Sequence, residues 1–110
     1  MVIYVPDRGD VVWLQFNPQS GHEQSGRRPA LTLSPKAYNQ KTGLAIFCPI
    51  TSQEKGYPFE VKVKERQIQG IILADQVKSL DWRIRKATFV AKSKPEVVIN
   101  VLALINTLIN

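Results

Sequence analysis

The stretch Phe59-Glu60-Val61-Lys62-Val63-Lys64 alternates apolar and charged residues without a break, and a period of two fits a pleated strand rather than a helix. Phe59, Val61 and Val63 are expected to face a core, with Glu60, Lys62 and Lys64 toward water. A strand with one wet face belongs to an antiparallel sheet. Other segments read as partners for it. Residues 11–16 are rich in β-branched and aromatic side chains and follow a turn at Pro6-Asp7-Arg8-Gly9-Asp10. Residues 30–34 read as a second strand stopped by Pro35, and residues 38–43 as a turn into a third strand at 44–50. Residues 70–74 are apolar throughout, as in a strand covered on both faces, and residues 86–90 offer one more. The intervals suit hairpins and are too short for crossover helices, so the fold class is mainly β, a small closed antiparallel barrel.

The period changes near the end of the chain. Ser93-Lys94-Pro95-Glu96 offers a capping box with Pro in the first turn, and Val97, Val101, Leu104, Ile105 and Leu108 then recur at helical spacing. A C-terminal helix is expected. Val98, Leu102 and Ile109 widen its apolar surface beyond one stripe, more than one small barrel can cover, which points to a homodimer. At 110 residues the chain reads as a single domain spanning 1–110.

Charge narrows the partners. Fifteen Lys and Arg against nine Asp and Glu leave a net charge of +6, which draws polyanions toward a small surface, nucleic acid first among them. Solubility alone is the competing account. Cys48 is the single cysteine and sits in the apolar run 44–48, so it reads as a buried small hydrophobe in a reducing cytoplasm. No segment reads as a leader or a membrane span, and a cytoplasmic location without membrane contact is expected.

Residues 17–29 contain two Gly, two Pro, two Ser and no aliphatic side chain, so they read as a mobile surface loop carrying Glu23, Arg27 and Arg28. Catalytic sets that need two histidines, a zinc cluster or grouped carboxylates are absent, since His22 is the lone histidine and Asp75 and Asp81 stand apart. Phosphoryl chemistry here would use no metal and no cofactor. Metal-free cleavage of RNA needs a proton acceptor for the 2′-hydroxyl, positive charge on the phosphate oxygens and a donor for the 5′-oxygen. Arg28 suits the second task, because its planar fork donates two hydrogen bonds and stays charged. Glu23 is either a base or a carboxylate that orders Arg27 or Arg28. Thr51 is either a strand-ending residue or a hydroxyl aimed at an anion, and composition favours the former. Lys55-Gly56-Tyr57-Pro58-Phe59 mixes a cation with aromatic rings, as binding of single strands requires, although Phe59 also fits a core. Lys78, Arg83, Arg85 and Lys86 extend the basic surface or are simply solvated.

Seven pieces in register resemble the MazF branch of the MazF/PemK/Kid toxins: Val5-Pro6-Asp7-x-Gly9-Asp10, Glu23-Gln24-x-Gly26-x-Arg28-Pro29-Ala30, Leu33-Ser34-Pro35, Tyr38-Asn39, Lys41-Thr42-Gly43, residues 55–61 and residues 74–79. The likeness runs from residue 4 to about residue 85. It implies an SH3-like barrel of the CcdB/MazF type with a C-terminal α-helix, assembled as a homodimer. The implied activity is that of a toxin endoribonuclease cutting single-stranded RNA, mainly messages, at short sites without metal, leaving 2′,3′-cyclic phosphate and 5′-hydroxyl ends. The family's catalytic arginine falls on Arg28, its threonine on Thr51 and its loop glutamate on Glu23. Gln24, Arg27, Ser52, Lys55, Asp75, Gln76 and Lys78 are the expected RNA-binding residues. The implied partner is an acidic MazE-like antitoxin whose tail enters the RNA groove, in keeping with the basic surface. The alternative is a non-catalytic gyrase-binding toxin on the same fold, as in CcdB, because fold does not fix function.

Overall fold

The computed structural model describes residues 3–16 and 26–110. Among these residues, seven strands form one antiparallel sheet: β1 (Asp10–Gln15), β2 (Arg27–Thr32), β3 (Leu44–Thr51), β4 (Glu60–Glu65), β5 (Ile68–Leu73), β6 (Lys78–Asp81) and β7 (Thr88–Lys92). Two helices join them, α1 (Lys36–Thr42) and α2 (Pro95–Ile109). The strands run in the order β4-β5-β3-β2-β1-β7, with β6 paired to β3 off that path. β3 is the hub: Phe47 pairs with Thr32 on one edge and Lys78 on the other, and Ile50 and Thr51 pair with Ile72 and Ile71 of β5.

The sheet curls into a half-barrel and does not close. Among the described residues β4 and β7 end the path without pairing with each other, which corrects the expected closed barrel. Helix α2 packs on β4 and on the short 3-10 turn Ala74–Gln76, and its Val97, Val98 and Val101 join a core with Val11, Leu31, Cys48 and Ile72. A helix laid on a curled sheet hides apolar surface that closure would otherwise hide. The opposite face holds a second cluster of Val12, Leu14, Ala30, Phe47 and Trp82.

The alternating strand is β4, with Val63 buried and Phe59 and Val61 packed against the core. β5 is flanked by β4 and β3, as an all-apolar strand should be, and Ile71 and Ile72 are buried. β7 begins two residues later than expected, because Lys86 takes a left-handed turn with φ of 54°. Three expectations need correction. Residues 38–43 are not a turn but the body of α1, which ends where Gly43 adopts φ of 76° and its N–H donates to the Asn39 carbonyl at 3.0 Å. Lys78–Asp81, noted in the sequence only for the charge of Lys78, is a paired strand on which Lys78 is still exposed; its place at a sheet edge leaves it without an apolar alternation to reveal it. The capping box does not form, since α2 starts after Lys94 with no side-chain cap, and the Ser93 N–H that Glu96 would meet already donates to Gly9 at 2.8 Å.

Cys48 is fully buried, and burial, with Asp75 adding its charge, pushes the thiol up to about 12. The unfolded thiol ionises near 9, so the folded chain binds a proton more tightly than the unfolded chain between those values. Stability from this group is complete below pH 9 and declines above it, by about 1 kcal/mol at pH 10. Melting temperatures measured from pH 8 to 10 should fall more steeply for the parent than for Cys48→Ala. Equal slopes would show that the thiol does not contribute.

Candidate functional site

β1 and β2 pair with Trp13 opposite Pro29, Leu14 opposite Arg28 and Gln15 opposite Arg27. Arg27 and Arg28 therefore stand on a strand, not in a loop, which corrects the sequence-based reading of residues 17–29. Two apolar neighbours on β1 explain it: Leu14 is fully buried and the Trp13 ring is half-buried, so the strand beside them must be present even where it is polar. Pro29 is tolerated because the β2–β3 ladder begins only at Ala30, leaving one side of the proline without a sheet partner to lose. Residues 17–25 of that reading, Glu23 and Gln24 among them, lie outside the described residues.

Thr51 closes β3, with its hydroxyl accepting a hydrogen bond from the Gln53 N–H at 3.2 Å. Pro49, two residues earlier, falls between the β6 and β5 ladders on that edge of β3, so its missing N–H costs no pairing. The strand thus reaches Thr51 unbroken. Arg28 and Thr51, distant in the chain, line the same cleft of about 280 Å³, together with Arg27, Ser52 and Trp13. The Arg27 guanidinium carbon lies 4.6 Å from the Trp13 ring centroid, a cation over an aromatic face. None of the described residues lining the cleft is acidic.

Of the expected site residues, Arg27, Arg28, Thr51 and Ser52 meet at this cleft. The remaining described ones do not line it. The backbone N–H groups of Lys55 and Gly56 donate to the Glu60 carboxylate at 3.0 Å each. Asp75 and Gln76 are exposed on the 3-10 turn, and Lys78 lies on β6 with its ammonium 5.8 Å from the Phe16 ring centroid. Tyr57 is exposed while Phe59 packs on the core, which separates the two readings of that aromatic pair.

Trp13, Gln67 and Gln69 also line the cleft and were not anticipated. Gln67 and Gln69 flank the buried Ile68, so alternation across residues 67–69 was the available signal. The site is not the largest hollow in the molecule. A hollow of about 610 Å³ lies over β4 and β5, but there Lys62 and Lys64 share the surface with Glu54, and Lys62 pairs with Glu54 at 3.9 Å. A polyanion is better served by the smaller cleft, where the arginine charges meet no carboxylate among the described lining residues.

A curled antiparallel sheet with a terminal helix defines a small β protein, and the two arginines, two hydroxyls and indole at one cleft are groups that can hold an anion bearing flat rings. Residues 7–109 match the family of PemK-like, MazF-like toxins of type II toxin-antitoxin systems. The chain is 51% identical over 106 residues to the endoribonuclease toxin MazF of Escherichia coli strain K12, covering 96% of each. Among solved structures, MazF from Deinococcus radiodurans (Form-I) superposes with a TM-score of 0.87 at 52% identity, covering 97% of this chain and 98% of that one. A MazE-MazF structure (Form-II) from the same organism matches with a TM-score of 0.87 at 46% identity, covering 98% of both. This chain belongs to the PemK-like, MazF-like toxin family. Among the described residues no helix is long and apolar enough to cross a membrane.

Proposed function

We propose that the chain is the toxin of a type II toxin–antitoxin pair, an endoribonuclease that cuts single-stranded RNA at short sequences without a metal. Its products carry 2′,3′-cyclic phosphate and 5′-hydroxyl ends. The observation that carries the reading is the shared cleft of Arg28 and Thr51, where a guanidinium and a hydroxyl border one opening. Arg28 stabilises the charge that builds on the phosphate oxygens, and Thr51 holds one of those oxygens. Glu23 takes the 2′-hydroxyl proton or orients Arg28. Gln24, Arg27, Ser52, Lys55, Asp75, Gln76 and Lys78 bind RNA around that centre, with bases stacking where rings such as Trp13 are open.

The single domain works in the cytoplasm as a homodimer. The exposed Ile99, Leu102, Leu108 and Ile109 of α2 support the pairing, being apolar surface that a protomer leaves uncovered. A MazE-like acidic antitoxin is the natural inhibitor of so basic a chain, as the MazE-MazF neighbours suggest. The gyrase-binding alternative is not favoured, because relatives along nearly the whole chain are named endoribonucleases. The test is incubation of the purified protein with single-stranded RNA in EDTA. New fragments with cyclic phosphate ends are expected, and RNA that stays intact at every protein concentration would refute the reading.

A further inference from the structure

β5 approaches the end of β3 unusually closely at Gly70. A Cβ placed on Gly70 would lie 2.5 Å from the Thr51 carbonyl oxygen and 3.2 Å from the Thr51 carbonyl carbon, with the Ile50 Cγ2 at 3.0 Å. The first two atoms are backbone and cannot swing aside. Backbone conformation does not demand the glycine, since Gly70 is not among the residues of positive φ. The ladder explains the approach: Ile50 and Thr51 pair with Ile72 and Ile71, and one further step would set Ser52 opposite Gly70. β3 stops at Thr51 instead and the chain bends at Ser52, so the Thr51 carbonyl lies across the bare Cα of Gly70.

We propose that Gly70 is a positioning residue for Thr51: by carrying no side chain it lets β5 seat the Thr51 peptide, and so aims the Thr51 hydroxyl into the cleft that Arg28 lines. This rests on the reading that Thr51 holds a phosphate oxygen. A methyl at position 70 must push the Thr51 peptide away from β5, and misplacement of a catalytic group by about 1 Å costs on the order of a hundred-fold in rate. RNA affinity draws on many basic residues and should change little.

The test compares Gly70→Ala, Thr51→Ala and the double variant in cleavage of one single-stranded RNA oligonucleotide. Gly70→Ala is expected to lower kcat by about ten- to a hundred-fold with KM within about three-fold. In the Thr51→Ala background it should add less than about two-fold, because the hydroxyl it displaces is already gone. Val63→Ala, which deletes buried volume opposite Gly70 on the other edge of β5, serves as the stability control and should keep its kcat. An unchanged kcat in Gly70→Ala, or full multiplication of the two effects in the double variant, would overturn the positioning role while leaving Thr51 catalytic. Thr51→Ala cutting as fast as the parent would instead remove the functional reading beneath it. If Gly70→Ala does not fold, Ile71→Val loosens the ladder partner of Thr51 without adding an atom. A kcat lowered about two- to five-fold at constant KM supports the proposal, and an unchanged one overturns it.

Discussion

Replacement of Arg28 by alanine is expected to slow cleavage of single-stranded RNA by about a hundred- to a thousand-fold, the usual loss when one preorganised donor to a developing oxyanion is removed. The fold should survive. Arg28 is an exposed residue whose place on β2 is fixed by backbone pairing with Leu14, and alanine keeps that pairing. The loss belongs in kcat more than in KM, because a guanidinium that meets the phosphate most strongly in the transition state contributes little to ground-state binding. Arg28→Lys keeps the charge but not the two-pronged donation, so it should recover only part of the rate. Single-turnover assays with an end-labelled oligonucleotide decide the matter, alongside melting curves that should stay close to the parent's. A parent-like rate in Arg28→Ala would refute the catalytic assignment.

Elements whose pattern and burial agree were legible from residue order. Strands β4 and β5 announced themselves by alternation and by an unbroken apolar run, and α2 by its helical period. What failed to show was structure imposed from a distance. The first half of β2 is Arg27-Arg28-Pro29, a composition that belongs to loops, and only the apolar β1 beside it makes a strand there. Helix α1 spans seven residues, too few to persist alone, and reads as a turn because Asn39 and Gly43 favour turns. The candidate site divides the same way. Arg28 stands out in the sequence because phosphate chemistry needs a fixed cation, while Thr51 gains weight only from family likeness. Trp13, Gln67 and Gln69 reach the cleft through strand register, which no single segment of the sequence encodes.

Asn39 is the residue whose loss should most damage the fold itself. It is fully buried on α1, and its amide donates to the Pro6 carbonyl at 2.7 Å and the Ser34 carbonyl at 3.0 Å while its oxygen accepts from the Ser34 hydroxyl at 2.6 Å. Ser34 in turn accepts from the Ile46 N–H at 2.8 Å, so one side chain ties the N-terminal turn, the entry to α1 and β3 together. Alanine would strand three polar groups away from water, each worth about 1–3 kcal/mol when left unpaired, and would open a small void besides. A total of about 3–5 kcal/mol is expected, a large share of the stability of a domain this size. The melting temperature should fall by on the order of 15–30 °C. Asn39→Asp separates hydrogen bonding from volume: it fills the same space, but a carboxylate cannot donate to the Pro6 and Ser34 carbonyls, so it should be at least as damaging as alanine. The Trp82 indole, which donates to the Asn39 backbone carbonyl at 2.9 Å, keeps its partner in both variants. Lys41→Ala, exposed on the same helix, should stay within about 0.5 kcal/mol of the parent. Thermal melts in which Asn39→Ala behaved like Lys41→Ala would mean that backbone contacts alone hold α1 against the sheet.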